Sequence, residues 1–159
     1  MIKARIIQIR KKFKEYGIDG YIIPKNDEFF SEYSNRDRLK TISNFSGSAG
    51  YAIILKKKNY LFVDGRYNIQ AHIEAGDNYK IVKYEKIVNC DLFKNLTIGI
   101  DPQLFTSDQI NKFFIKYNFV KEIKTNLIDS ISKKFSFKKK IFYCLDDKII
   151  GESYKKKNR

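Results

Sequence analysis

Tryptophan is absent from this chain, histidine occurs once, and cysteine and proline occur twice each. The cysteines, Cys90 and Cys144, are too few for a disulfide scaffold and lack the paired spacing of a zinc site. They read as reduced thiols of a cytoplasmic protein. One histidine, His72, and no H-E-x-x-H leave too few ligands for a catalytic metal, so no metal site and no cofactor are expected in this chain. The acids fill the gap poorly. Asp64, Asp101 and Asp129 fall singly at expected strand or helix ends, where capping accounts for them. No apolar stretch approaches the roughly 20 residues of a membrane span. Met1 to Arg10 alternates apolar and basic residues without the apolar core of a signal peptide, so no membrane partner is expected.

What is present fits one domain. The chain has 159 residues, 43% of them hydrophobic, against a usual domain size of about 100–150 residues. The formal net charge is +14. A charge of that size can attract nucleic acid or an anionic surface. Here, however, the lysines are spread along the whole chain, amid many Ile, Asn, Tyr and Phe. That mixture resembles the coding bias of an AT-rich genome more than a phosphate-binding face.

Ile2, Ile6, Ile9, Phe13 and Tyr16 recur at helical spacing, and Gly17 stands where such a helix stops. Gly20 to Pro24 reads as a buried strand, and Lys25 to Arg38 as a structured loop. Gly47-Ser48-Ala49-Gly50 is a tight turn before a hairpin of Tyr51–Leu55 and Tyr60–Val63. Asp64-Gly65 ends that strand and opens a helix from about Arg66 to Ala75, with Asp64 as its cap. Tyr79–Tyr84, Thr97–Ile100 and Val120–Lys124 are further strands. Thr106 and Gln109 form a capping box for a helix running to about Tyr117, and Leu127 to Ile131 suggests a short helix. The expected fold is α/β, a mixed sheet of about five or six strands with one hairpin, flanked by helices. Residues 1–132 form the domain. Residues 133–159, with Lys133-Lys134, Lys138-Lys139-Lys140 and the terminal lysines, read as a basic linker or tail.

The chemistry-bearing motifs are weak. Gly47-Ser48-Ala49-Gly50 lacks the G-x-S-x-G frame and leads into a strand, unlike a nucleophile elbow. The Walker pattern is missing, although backbone amides of such a turn can hold an anion. Lys133 to Phe142 mixes aromatic and basic residues, which carries an alternative reading as a nucleic-acid-binding module. A flexible tail does not supply the rigid stacking platform such modules use.

In order along the chain come Tyr21-Ile22-Ile23-Pro24-Lys25-Asn26-Asp27, Ser31-Glu32-Tyr33, Arg38-Leu39, Ile42 to Gly50, Val63-Asp64-Gly65-Arg66-Tyr67 and Gln70-Ala71. Gly99-Ile100-Asp101-Pro102 and Asn126-Leu127-Ile128-Asp129 follow. This ordered set resembles the creatinase/aminopeptidase P N-terminal domain. Phe29 stands where a histidine is frequent, Asn44 where a glycine is common, and Ser132 where a tryptophan is usual.

The resemblance implies the non-catalytic N-terminal domain of an Xaa-Pro aminopeptidase. Such a domain serves in subunit or domain packing and shapes the peptidase entrance. It also implies a further catalytic domain binding two divalent metals, typically manganese. This chain stops where a second domain would start, and reads as truncated, split or isolated. Its partners would be a second copy of itself or a separately encoded catalytic part. Entrance or interface residues by resemblance are Arg38, Asp27, Glu32 and Tyr33, with Arg38 able to bind a substrate carboxylate bidentately. The plain alternative for Arg38 is an ordinary surface salt bridge. Gly47, Ser48, Gly50, Asp64, Gly65, Arg66 and Tyr67 are expected to define the fold.

Overall fold

A computed structural model describes residues 2–31, 36–88, 90, 92–116, 118–132 and 145–157. Helix α1 (Ile2–Tyr16) buries Ile2, Ile6, Ile9 and Phe13, the stripe its periodicity predicts. Gly17, at φ +56°, ends it. The Ile18 amide donates to the Phe13 carbonyl at 3.0 Å and the Gly17 amide to the Lys14 carbonyl at 3.3 Å. This is the paired closure of a left-handed helix stop, sealed by burial of both Phe13 and Ile18.

The strands are β1 (Gly20–Pro24), β2 (Gly50–Leu55), β3 (Asn59–Val63), β4 (Lys80–Lys83), β5 (Thr97–Ile100) and β6 (Phe119–Glu122). They form one sheet in the order β4-β3-β2-β1-β5-β6. Strand β2 runs antiparallel to both its neighbours, while β3–β4, β1–β5 and β5–β6 are parallel. The carboxyl ends of five strands and the amino end of β2 therefore lie along one side of the sheet.

Both faces of the central strands are covered, which is why they read as nearly unbroken apolar runs. Tyr21, Ile23, Ala52 and Ile54 pack with α1, α2 (Arg38–Ser43), α3 (Asn68–Ala75) and α5 (Leu127–Ile131). Alternate residues such as Ile22, Ile53 and Phe62 pack on the other face with Ile87, Phe93, Leu104 and Phe114. Cys90 is buried in that second cluster.

Two elements differ from the expectation. The Lys25–Arg38 loop gives way to α2, a helix of six residues whose first turn is capped by Asp37, accepting from the Lys40 amide at 2.9 Å. Six residues are too short for a periodic pattern to register. Its C-terminal cap is Asn44, at φ +64°. Asparagine tolerates that left-handed conformation nearly as glycine does, which accounts for its standing where glycine is common. The helix expected to reach Tyr117 begins as α4 (Ser107–Ile110), with both halves of its capping box present. It then widens into a π-helical stretch over Asn111–Ile115, which puts the neighbouring Phe113 and Phe114 both in the core. Tyr117 lies outside the described residues, as do residues 133–144, where the expected domain boundary and the basic aromatic run fall. Beyond them, α6 (Asp147–Ile150) and α7 (Tyr154–Lys157) are single turns.

Candidate functional site

The side of the sheet that holds the strands' carboxyl ends is where open α/β sheets place their ligands. Here it gathers nearly every motif of the sequence: Lys25 to Asp27 after β1, Gly47 to Gly50 before β2, Asp64 to Tyr67 after β3, Asp101 after β5 and Asn126 after β6.

Arg38 is its most deeply placed charge, with 2% of its surface exposed. Its Nε donates to Asp129 Oδ1 at 3.0 Å and its Nη2 to Asp129 Oδ2 at 2.8 Å, a bidentate fork. The same Nη2 donates to Glu28 Oε1 at 2.6 Å. Burial pulls the guanidinium's pKa down, but the bonds to Asp129 and Glu28 outweigh it and hold the value above normal. Glu28 is correspondingly held below its usual range, chiefly by the bond from Arg38. Arg38 is thus not an ordinary surface salt bridge; it lies inside, and its fork is filled by Asp129. Nη1 is buried and has no hydrogen-bond partner among the described residues. Asp129 was expected as a lone cap and is instead the guanidinium's main partner.

The network continues inward. Asn126 Oδ1 accepts from the amides of Ile128 and Asp129 and so caps α5. Its Nδ2 donates to Asp101 Oδ2 at 2.8 Å, and Asp101 Oδ1 accepts from the Gln103 amide at 3.0 Å. The Tyr21 hydroxyl accepts from the Leu127 amide, and burial raises its pKa. Together these residues join β1, β5, α2 and α5. Nearby, the Lys25 ammonium is paired with Asp37. Asp27 is turned back on its own loop, its Oδ1 accepting from the amides of Phe29 at 3.0 Å and Ser31 at 2.9 Å. Phe29 is exposed at the loop tip. Glu32 and Tyr33 lie outside the described residues.

The second cluster is built by the glycine turn. The Phe45 ring lies over Gly47, where an added Cβ would stand 2.2 Å from it, and meets Tyr67 edge-on at 5.7 Å. At Gly50 a Cβ would come within 2.8 Å of the Phe62 carbonyl oxygen. The Ser48 and Tyr67 hydroxyls share a hydrogen bond of 2.8 Å. Ser46 gives its amide and its hydroxyl to the Glu74 carboxylate, each at 2.7 Å, and Gln70 donates to both side chains. Asp64 accepts from the Arg66 amide at 2.9 Å and from Arg66 Nε at 3.0 Å. Those bonds, the backbone one first, hold its carboxyl below the usual range. Gly65 and Arg66 open a single turn of 3-10 helix ahead of α3.

A shallow cavity of about 150 Å³ lies beside Lys25, Asn26, Ser48 and Tyr51. Among the described residues it holds no nucleophile paired with a base. Ser48 is bonded to Tyr67, and His72 is exposed on α3 with Nδ1 on the Asn68 carbonyl. Among the described residues no group of three or more His, Cys, Asp or Glu could hold a metal ion. A pair of divalent cations does not fit acids already committed to Arg38, Lys25 and backbone amides. No described helix is long and apolar enough to cross a membrane. The site's chemistry is that of a surface whose acids are bound by its own cations and amides, with Arg38 Nη1 left over. Sequence reasoning missed Glu28, Asn126 and Asp129 as its structural nodes. Asn126-Leu127-Ile128-Asp129 stood out as a landmark, but nothing in it names a partner 91 residues away.

Comparison with known proteins agrees with this architecture. The family model described as "Creatinase/Prolidase N-terminal domain" matches residues 5–127. A probable Xaa-Pro aminopeptidase P from Laccaria bicolor is 31% identical, over 94% of this chain and 26% of its own length. Xaa-Pro aminopeptidase 1 of Dictyostelium discoideum is 30% identical, over 98% of this chain and 28% of its own. The chain thus spans about a quarter of the length of these curated relatives. Among solved structures, the cytosolic X-prolyl aminopeptidase of Caenorhabditis elegans superposes with a TM-score of 0.72 at 26% identity, covering 82% of this chain and 25% of that one. The N-terminal domain of a cytoplasmic peptidase from Mycobacterium tuberculosis shares the fold, with a TM-score of 0.62 at 18% identity, over 81% of this chain and 98% of that one. With its six-stranded mixed sheet between helical layers and a family match over most of its length, the chain belongs to the creatinase/prolidase N-terminal domain family.

Proposed function

We propose that this chain is a non-catalytic domain of an Xaa-Pro aminopeptidase-like protein, serving in domain or subunit packing and in shaping a peptidase entrance. The observation that carries the reading is the gathering of the family motifs on one side of the sheet, with their acids bound to Arg38, Lys25 and backbone amides instead of poised for reaction. On this reading the two divalent metals, typically manganese, belong to a catalytic part outside this chain. Arg38 then supports the entrance by fixing α2 against α5, since a substrate carboxylate would have to displace Asp129 from the fork. A cytoplasmic setting is part of the proposal, supported by the two widely spaced cysteines and by the relative described as cytosolic.

The test is to mix the purified chain with a metal-loaded catalytic part of a full-length relative that lacks its own N-terminal domain. Sedimentation should show a complex, and cleavage of an X-Pro peptide should change on addition of the chain. Neither a complex nor a change in cleavage would end the proposal. So would X-Pro hydrolysis by the chain alone with added manganese.

A further inference from the structure

The sheet has two edges, and they differ. At one, β6 carries Lys121 beside Glu122, a balanced pair of charges. At the other, β4 pairs among the described residues with β3 alone, in parallel register from Tyr60 with Lys80 to Val63 with Lys83. In a parallel strand every second residue turns both its N–H and its C=O away from its neighbour. No other described segment takes up those outward groups of residues 80–83. Along this edge runs a groove of about 620 Å³. Its walls are apolar at Ile81, Val88 and Leu92, and its rim carries Lys80, Lys83 and Lys86. None of the three lysines has an ion-pair partner among the described residues. Glu85 is the one acid lining the groove among the described residues.

We propose that the outer edge of β4 is an interaction surface that receives an extended acidic peptide segment as an added strand. Unpaired backbone groups supply the pairing, as in other strand-addition modes. The apolar walls take alternate side chains of the incoming strand, and its carboxylates meet the three lysines. Charge chooses the occupant. A second copy of this chain would bring the same lysines and a net charge of +14 to an edge that is already basic. The competing explanation is that the lysines only shield an exposed edge from aggregation, a common use of lysine there. In that case nothing binds.

The experiment uses the full chain and a labelled, end-capped eight-residue peptide of alternating glutamate and valine, read by fluorescence anisotropy. A second peptide of the same sequence carries N-methyl groups on every backbone amide, which keeps its charge and removes the donors on both of its edges. Binding of the first peptide is expected at low salt, at least tenfold weaker for the N-methylated one. The Lys80→Glu, Lys83→Glu double variant, with its fold confirmed by circular dichroism, should weaken the first peptide at least tenfold as well. No binding at low salt overturns the proposal, leaving the shielding role. Equal binding of both peptides overturns it too, because general attraction to a basic protein would then suffice. Self-association through the same edge, seen as a dimer that the double variant abolishes, would assign the edge to a second copy and also overturn it.

Discussion

Among the arginine–aspartate pairs on this side of the sheet, Arg38–Asp129 and Asp64–Arg66 do different work. Arg38 and Asp129 are 91 residues apart, and the guanidinium is 2% exposed and held by two parallel bonds. Asp64 and Arg66 are two residues apart, with 41% and 73% of their side-chain surfaces exposed. The first pair joins α2 to α5 and, through Asn126 and Asp101, to β5. The second shapes one turn of backbone and can do so without its charge, because Asp64 chiefly accepts from the Arg66 amide. Motif membership does not rank these pairs; burial and sequence separation do.

The widest separation between them should come from truncating the buried partner. Arg38→Ala leaves Asp129 and Glu28 without their buried cation, with only the half-exposed Arg36, 3.8 Å from Asp129 Oδ2, beside them. It should cost about 3–5 kcal/mol of stability by chemical denaturation, the range for breaking a buried pair. A loss under about 1 kcal/mol would mean that solvent reaches this pair much as it reaches the other. Next in size is Asn126→Ala, which removes the α5 cap and the side-chain partner of Asp101. Each loss is on the order of 1 kcal/mol, so about 2 kcal/mol in urea denaturation is expected.

Much of this contrast lay beyond a reading of the sequence, for identifiable reasons. Local devices were legible: the Gly17 helix stop, the Thr106–Gln109 capping box and the hairpin all depend on residues within a few positions of each other. Asp64, by contrast, caps a single 3-10 turn and not the helix expected from about Arg66, since α3 starts at Asn68. The α/β layering was legible too, because runs such as Tyr21–Ile23 and Ile53–Leu55 carry the mark of strands buried on both faces. The helix α2 was not, since six residues beginning at an arginine show no stripe. The burial of Arg38 was not, since its partners are contributed by a loop and by a helix near the far end of the domain. Asp129 looked like a cap because it stands in a helical first turn, a position that fits either role until the guanidinium beside it is seen.

Acid should sharpen the comparison at intermediate size. Glu28 titrates below its ordinary value in the folded chain because Arg38 donates to it. A carboxyl depressed on folding contributes stability that is fully present above its unfolded pKa, about 4.3 for glutamate. The contribution disappears as pH falls through the lower folded value. Denaturation midpoints should therefore fall from about pH 5 downward, and Glu28→Gln should flatten that decline. Asp19 and Glu74, also depressed, keep some slope in place. A Glu28→Gln chain with an unaltered acid limb would show that the Arg38 bond is not what holds that carboxyl down.

The smallest effect is expected at Arg66. Its guanidinium stands in solvent, 5.4 Å from the centre of the Tyr67 ring, and its bond to Asp64 closes a contact that the backbone already makes. Exposed pairs of this kind gain little from water-screened attraction and lose rotamer freedom in forming. Arg66→Ala should leave the melting temperature unchanged within error, with the turn at Gly65 intact because the Asp64 carboxylate keeps its amide donor. Asp64→Ala removes that acceptor and should lower the melting temperature measurably more than Arg66→Ala. If the arginine variant proved the worse of the two, the exposed pair would owe its place to the side-chain contact and not to the cap, and burial would no longer separate the two pairs.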